Sequence, residues 1–212
     1  VGAKLHKANF DSIRLRSHGL EGQVFDCDGY EALELPLLGD HQLHNAAVVL
    51  TAVDALRTRG WNLPEEAVRK GLKDVKWPGR FELLRKDPLF IIDGGHNPQC
   101  IQALVKNIQD YLAGRPLTIL TGVLADKDYN CMYRNVEPYA KEFITVTPGN
   151  PRALNAHDLA QYLSQFGKPV TACDAVADGV RLAVEHAGKD GVVLCYGSLY
   201  MIGEIEAGLQ QL

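Results

Sequence analysis

From residue 81 onward the chain alternates short apolar runs with amphipathic ones, and this alternation restricts the fold more than any single motif does. Residues 89–93 read as a buried strand, and Pro98 opens a helix that runs to about Leu112. Residues 117–124, 143–146, 170–172 and 192–196 read as further strands. Helices are expected over 128–139, 155–164, 174–187 and 199–209. Strands and helices in strict succession argue for an α/β fold with a mainly parallel sheet. Right-handed crossovers then place the loops that follow the strands on one edge, where ligands bind.

The preceding residues have a different character. Between 10 and 36 three short runs, carrying Phe10, Ile13 and Leu15, then Val24 and Phe25, then Leu33 and Leu35, are separated by Gly19, Gly22 and Asp28-Gly29. These read as strands of a meander. Leu43, Ala46, Ala47, Leu50, Val53 and Leu56 then recur at helical spacing, Gly60 closes that helix, and a second short helix follows Pro64. The stretch 80–87 is the expected boundary between the two parts.

With 22 Lys+Arg against 26 Asp+Glu the net charge is -4, so no basic excess exists to neutralise nucleic-acid phosphates. No apolar run is long enough to span a membrane, and residues 1–5 lack the apolar core of a signal peptide. The sequence begins with Val1 rather than Met, and its start is expected to have been cut or processed. Cys27, Cys100, Cys131, Cys173 and Cys195 are odd in number and form no C-x-x-C, which argues against a disulfide framework or a zinc site. Most are expected to be small core residues of a protein in a reducing cytosol. His6, His18, His157 and His186 carry no pattern and are expected at the surface.

G-x-x-x-x-G-K-[ST], G-x-G, G-x-S-x-G and H-E-x-x-H are all absent. The sheet therefore binds something other than a nucleotide held by its own phosphate loop, or contributes only part of a site. Four short constellations remain. Gly39 to Ala47 (GDHQLHNAA) opens the first helix, where polar side chains either cap it or reach a ligand; Asp40 is the N-cap candidate. Trp77-Pro78-Gly79-Arg80 suits a type II turn, which would present Arg80 rigidly to a phosphate, or else simply reverse the chain beside a surface Arg. Asp93-Gly94-Gly95-His96-Asn97-Pro98 joins a strand end to a helix start. There two glycines admit a ligand close to the backbone, the helix favours an anion, Asp93 can accept ribose hydroxyls, and His96 can donate to a phosphate or carboxylate. The fourth pairs Ala125-Asp126-Lys127-Asp128 with Gly197-Ser198-Leu199-Tyr200 on the same expected edge. Lys127 either pairs with a carboxylate or is a solvated charge, and Ser198 either donates to an anion or caps its helix.

Taken together these residues resemble the folylpolyglutamate synthase/dihydrofolate synthase family of the Mur-ligase superfamily. The resemblance rests on Gly39 to Ala46, on Trp77-Pro78-Gly79-Arg80-Phe81-Glu82, on Asp93 to Pro98, on Gly122 to Asp128 and on Gly197 to Glu204. It covers about residues 35–205, and Gly94-Gly95 favours the folate branch over the peptidoglycan ligases. It implies a Rossmann-like C-terminal Mur-ligase domain over 81–212, preceded over 1–80 by the β/helical tail end of the central ATPase domain. Members of this family are about twice as long, so the chain looks like a C-terminal fragment, inactive by itself, and the missing phosphate loop is accounted for.

The implied reaction activates a folate or dihydropteroate carboxylate with ATP as an acyl phosphate, which the amine of L-glutamate attacks. Carried over from the family, Asn45 contacts adenine, Arg80 the phosphates and Asp93 the ribose. His96 lies near the phosphates and the incoming amino acid, and Lys127 and Ser198 hold glutamate carboxylates. Arg80 and His96 are the catalytic candidates. The resemblance also implies Mg2+, with ligands and a carbamylated lysine that have no counterpart in this sequence, and a monomeric intact enzyme in the cytoplasm without nucleic-acid or membrane partners. Two alternatives stay open: a non-catalytic α/β ligand-binding module, and a Mur-type ligase for another amino acid.

Overall fold

Along Gly22–Cys27 every second residue is buried, which is the signature of a strand with one face on a core. That strand, β2, is the middle of an antiparallel meander with β1 (Arg14–Gly19) and β3 (Tyr30–Leu35). The computed structural model describes residues 2–212. They divide into two compact units, Val1–Trp77 and Pro78–Leu212.

In the first unit, helix α1 (Asp40–Arg57) buries Leu43, Ala46, Ala47 and Leu50, spaced to fall on one face. They pack with Phe25, Leu33 and Leu35 of the sheet and with Val68 and Leu72 of α2 (Glu65–Lys73). Gly39, at φ 100°, caps α1 rather than the expected Asp40. A backbone turn that only glycine enters easily has displaced the side-chain cap. Asp40 is instead the first helical residue, where a negative charge still complements the dipole.

The second unit is a six-stranded sheet in the order β4-β5-β9-β6-β7-β8. Its strands are β4 (Glu82–Lys86), β5 (Leu89–Asp93), β6 (Leu117–Thr121), β7 (Ala140–Thr145), β8 (Val170–Ala172) and β9 (Val192–Tyr196). All pair in parallel except β4, an antiparallel edge strand inside the stretch expected to be a boundary. The helices are α3 (Pro98–Tyr111), α4 (Tyr129–Val136), α5 (Ala156–Leu163), α6 (Val176–Ala187) and α7 (Ile202–Leu209). Phe90, Ile92, Leu120, Ile144, Val193 and Cys195 share one face of the sheet and pack with Val176, Val180 and Ala183 of α6 and Ile205 of α7. On the other face Tyr133 of α4 lies 6.3 Å from Phe143 and 5.7 Å from Tyr196, ring centre to ring centre. The mainly parallel α/β sheet expected from the sequence is therefore the fold.

Its topology positions the site. From β5 the chain crosses through α3 to β6 and continues outward to β8, then returns through α6 to insert β9 between β5 and β6. The reversal makes the carboxyl ends of β5, β9 and β6 the topological switch point, where open α/β sheets bind ligands. The five cysteines are free; Cys27 and Cys195 are buried and the other three only partly so. No helix among the described residues is long and apolar enough to cross a membrane.

Of the four histidines expected at the surface, His157 meets Asp174 at 3.0 Å in an exposed pair. His186 does more. Its Nδ1 lies 2.7 Å from Oε2 of Glu142, a buried carboxylate that also accepts from Thr118 at 3.0 Å. Burial raises the affinity of Glu142 for its proton, but the bonds from His186 and Thr118 outweigh it and hold the carboxyl below its ordinary value. Folded Glu142 thus binds a proton less readily than the unfolded chain. Its stabilising contribution is present at neutral pH and is lost as pH falls through the acid range. Replacing His186 by Ala is expected to cost about 1–3 kcal/mol at pH 7. Urea unfolding should show that deficit shrinking by pH 4.

Candidate functional site

The turn at Trp77-Pro78-Gly79-Arg80 forms because Gly79 adopts φ 69°, the left-handed value expected there. Its N–H donates to Oε2 of Glu82 at 2.8 Å, three residues on. Its carbonyl accepts from the Gly94 N–H at 2.8 Å, so the turn is stitched to the loop after β5. A Cβ at Gly79 would stand 2.3 Å from Cδ1 of Ile202, and one at Gly94 would stand 2.0 Å from Cδ2 of Leu199 and 3.1 Å from Nη1 of Arg80. The guanidinium of Arg80 therefore lies over bare backbone at Gly94. It makes no hydrogen bond or ion pair with a described side chain or backbone group. A half-buried cation whose donors are not taken up by hydrogen bonds, against the loop that leads to α3, is set to receive an anion.

Asp93 ends β5. Its Oδ1 accepts from the Gly95 N–H at 2.7 Å and its Oδ2 from the Phe81 N–H at 3.0 Å. The residue is partly buried. Burial is the largest influence and pushes its pKa up to about 6, against the lowering effect of the two N–H donors, Arg80 and His96. Folding thus raises this pKa, and the associated stability is fully present below the unfolded value and is lost as pH rises through about 6. The protein keeps Asp93 ionised at neutral pH at a cost, as functional sites commonly do. His96 Nδ1 lies 2.8 Å from the Gly94 carbonyl. Because that oxygen can only accept, Nδ1 carries the proton, and Nε2 is left to meet a ligand. Asn97 caps α3 through the Cys100 N–H at 2.9 Å.

The structure thus brings Arg80, Asp93 and His96 together. Ser198 follows β9, next to Leu199. It is buried, and its Oγ accepts from the Tyr200 N–H at 3.3 Å, a cap that leaves its own proton to donate. Lys127 stands on the loop after β6, between Asp126, which pairs with Arg152 at 2.8 Å, and Asp128, which caps α4 through Cys131. Asn45 belongs to the first unit. It donates to Gln42 Oε1 at 3.0 Å and lines an apolar cavity of about 650 Å³ with Val49, Val53, Leu72 and Trp77. Among the described residues no three His, Cys, Asp or Glu side chains are grouped to hold a metal.

Sequence reasoning gave no role to Glu82, to the left-handed Phe81 (φ 46°), or to Leu199 and Ile202 packed on the glycines. Only Glu82 left a signal, its three-residue spacing from Gly79.

The glutamate ligase domain of Mur ligases matches residues 79–199. The chain belongs to that family. Within it, the folylpolyglutamate synthase of Lacticaseibacillus casei is 38% identical over 152 residues, covering 69% of this chain and 35% of that protein. A dihydrofolate synthase/folylpolyglutamate synthase of Bacillus subtilis is 30% identical, covering 85% of this chain and 42% of that one. Among solved structures, a Mycobacterium tuberculosis folylpolyglutamate synthase complexed with ADP and AMPPCP superposes with a TM-score of 0.78 at 29% identity. That superposition covers 94% of this chain and 47% of that one. The chain thus spans less than half the length of these relatives.

Proposed function

We propose that this chain is the C-terminal part of an ATP-dependent ligase that adds L-glutamate to folate or dihydropteroate through an acyl phosphate. Such a ligase is a folylpolyglutamate synthase, a dihydrofolate synthase or both. The observation that carries this reading is the guanidinium of Arg80, free of hydrogen bonds and held against Gly94 in the loop between β5 and α3. A rigid fork of donors there fits phosphate oxygens and offsets the charge that develops as a phosphoryl group moves.

The remaining roles follow the chemistry of each group. Each Asp93 oxygen has one N–H donor and one lone pair still open, enough to accept ribose hydroxyls. His96 offers Nε2 toward the phosphates or the incoming amine. Lys127 and Ser198 supply a charge and a hydroxyl for glutamate carboxylates, and Asn45 supplies an amide for adenine. Residues 1–80 would be the end of an ATPase domain and 81–212 the glutamate ligase domain. The Mg2+ that such a ligase uses would take its ligands from a part of the ligase that precedes these residues. We place the intact enzyme in the cytoplasm, as a monomer.

The decisive experiment measures ATP-dependent glutamate transfer onto dihydropteroate and tetrahydrofolate. This chain is compared with a ligase in which an ATPase part precedes it. Transfer by the longer protein alone is the expected result, and the acceptor used identifies the branch. A folded longer protein that transfers glutamate to neither acceptor would overturn the proposal.

A further inference from the structure

We propose that Asp93 is a positioning residue: its carboxylate clamps the backbone beside Arg80 to the loop after β5, and thereby fixes the guanidinium. The proposal rests on the reading of Arg80 as a phosphate-binding residue, but the clamp is a separate and separately measurable object.

The two carboxylate oxygens hold different segments. Oδ2 takes the Phe81 N–H at 3.0 Å, one residue past Arg80, and Oδ1 takes the Gly95 N–H at 2.7 Å. On the other side of Arg80, Gly79 accepts from Gly94 at 2.8 Å and is held from β4 by Glu82. Both neighbours of Arg80 are therefore tied to residues 93–95. Phe81 needs such a tie. It sits at φ 46°, a conformation that L side chains rarely adopt, with its ring buried 5.8 Å from that of Tyr111. A backbone held there persists only where its surroundings over-determine it. The bare Cα of Gly94 then lets Nη1 of Arg80 settle against the loop. The charged groups around the carboxylate are Arg80 from the turn and His96 from the loop, and the Cys195 thiol on β9 feels its charge. A carboxylate enclosed in this way is costly to ionise, and the two backbone donors give the ionised form its partners.

The clamp can be read without any activity. In the isotopically labelled 212-residue chain, the Phe81 and Gly95 amide resonances are followed from pH 5 to pH 8. Both are expected to move together with one midpoint near 6, where burial places Asp93. In Asp93→Asn that shared titration should vanish, because the amide does not ionise, and one of the two N–H groups should lose its acceptor, because the amide nitrogen cannot replace the second oxygen. At least one of the two amides should then exchange with solvent roughly tenfold to a hundredfold faster. Amides that titrate separately, or a titration that survives Asp93→Asn and so reports His96, would overturn the clamp. If Asp93→Asn does not fold, His96→Gln decides: a shared titration of the two amides that survives it belongs to Asp93, and one that vanishes with it overturns the clamp.

A second readout separates positioning from ribose contact. In the longer ligase, Arg80→Ala should cost at least tenfold less in kcat/KM when Asp93 is already Asn, since both changes remove one device. Additive losses would assign Asp93 to the ribose alone. If Arg80→Ala itself costs nothing, the phosphate reading of Arg80 fails while the amide titration still tests the clamp.

Discussion

In a ligase carrying this chain, Arg80→Ala is expected to lower kcat/KM for ATP roughly tenfold to a hundredfold, the loss of about 1.5–3 kcal/mol for a charged hydrogen-bonding partner. The size of the effect follows from what surrounds the guanidinium. No described group takes a hydrogen bond from its donors, so removal costs the fold only its through-space attraction to Asp93 and costs the ligand its donors. The free chain should lose little of its thermal midpoint, only what Arg80 contributes by favouring ionised Asp93. Arg80→Lys restores the charge but not the planar fork, so it should recover only part of the activity. The comparison of Ala with Lys thus reads geometry separately from charge. Wild-type kcat/KM in Arg80→Ala would remove the central support for phosphate binding at this edge.

The parallel strands were legible because their residues are buried on both faces. Phe90-Ile91-Ile92 and Val193-Leu194-Cys195 read as continuous apolar runs, which only a covered sheet can accommodate. Strand β4 was not legible. Glu82 to Arg85 are neither fully buried nor alternating, and the strand exists because β5 offers it an edge. The meander was legible from turns at Gly19 to Gly22 and Asp28-Gly29, which the backbone uses as the glycines suggest.

The candidate site divides in the same way. Gly94-Gly95 at a strand end, followed by a Pro-started helix, marks a ligand edge from sequence alone. Which amides Asp93 would take was hidden, because the Phe81 contact spans twelve residues and depends on a backbone conformation no propensity favours. His186 was hidden for a similar reason: its partner Glu142 is 44 residues away and buried only once the chain has folded. In both cases the missing information was tertiary and the residue types by themselves were ordinary.

The ligand edge itself should be the least tolerant part of the fold, and Gly197→Ala and Gly122→Ala test this. Gly197 sits at φ 116° and a Cβ there would meet the Gly122 carbonyl at 2.5 Å. At Gly122 a Cβ would meet the Val146 carbonyl at 2.5 Å and the Met201 sulfur at 2.8 Å. The nearest obstacle in each case is a backbone carbonyl just past β6 or β7, which cannot turn aside as a flexible side chain can. Strain and overpacking together are expected to cost about 3 kcal/mol in each variant. For a unit of this size that lowers the thermal midpoint by roughly 10 °C. Gly203→Ala is the control, since Gly203 lies in α7 with nothing within 4 Å of its would-be Cβ. Helix propensity alone then predicts a gain of about 0.5–1 kcal/mol. Calorimetry on the three variants would therefore show two large losses and one small gain. A tolerated Gly197→Ala would mean that the strand ends are looser than they stand here, and that the close approach of β9 to β6 is not what shapes the crevice.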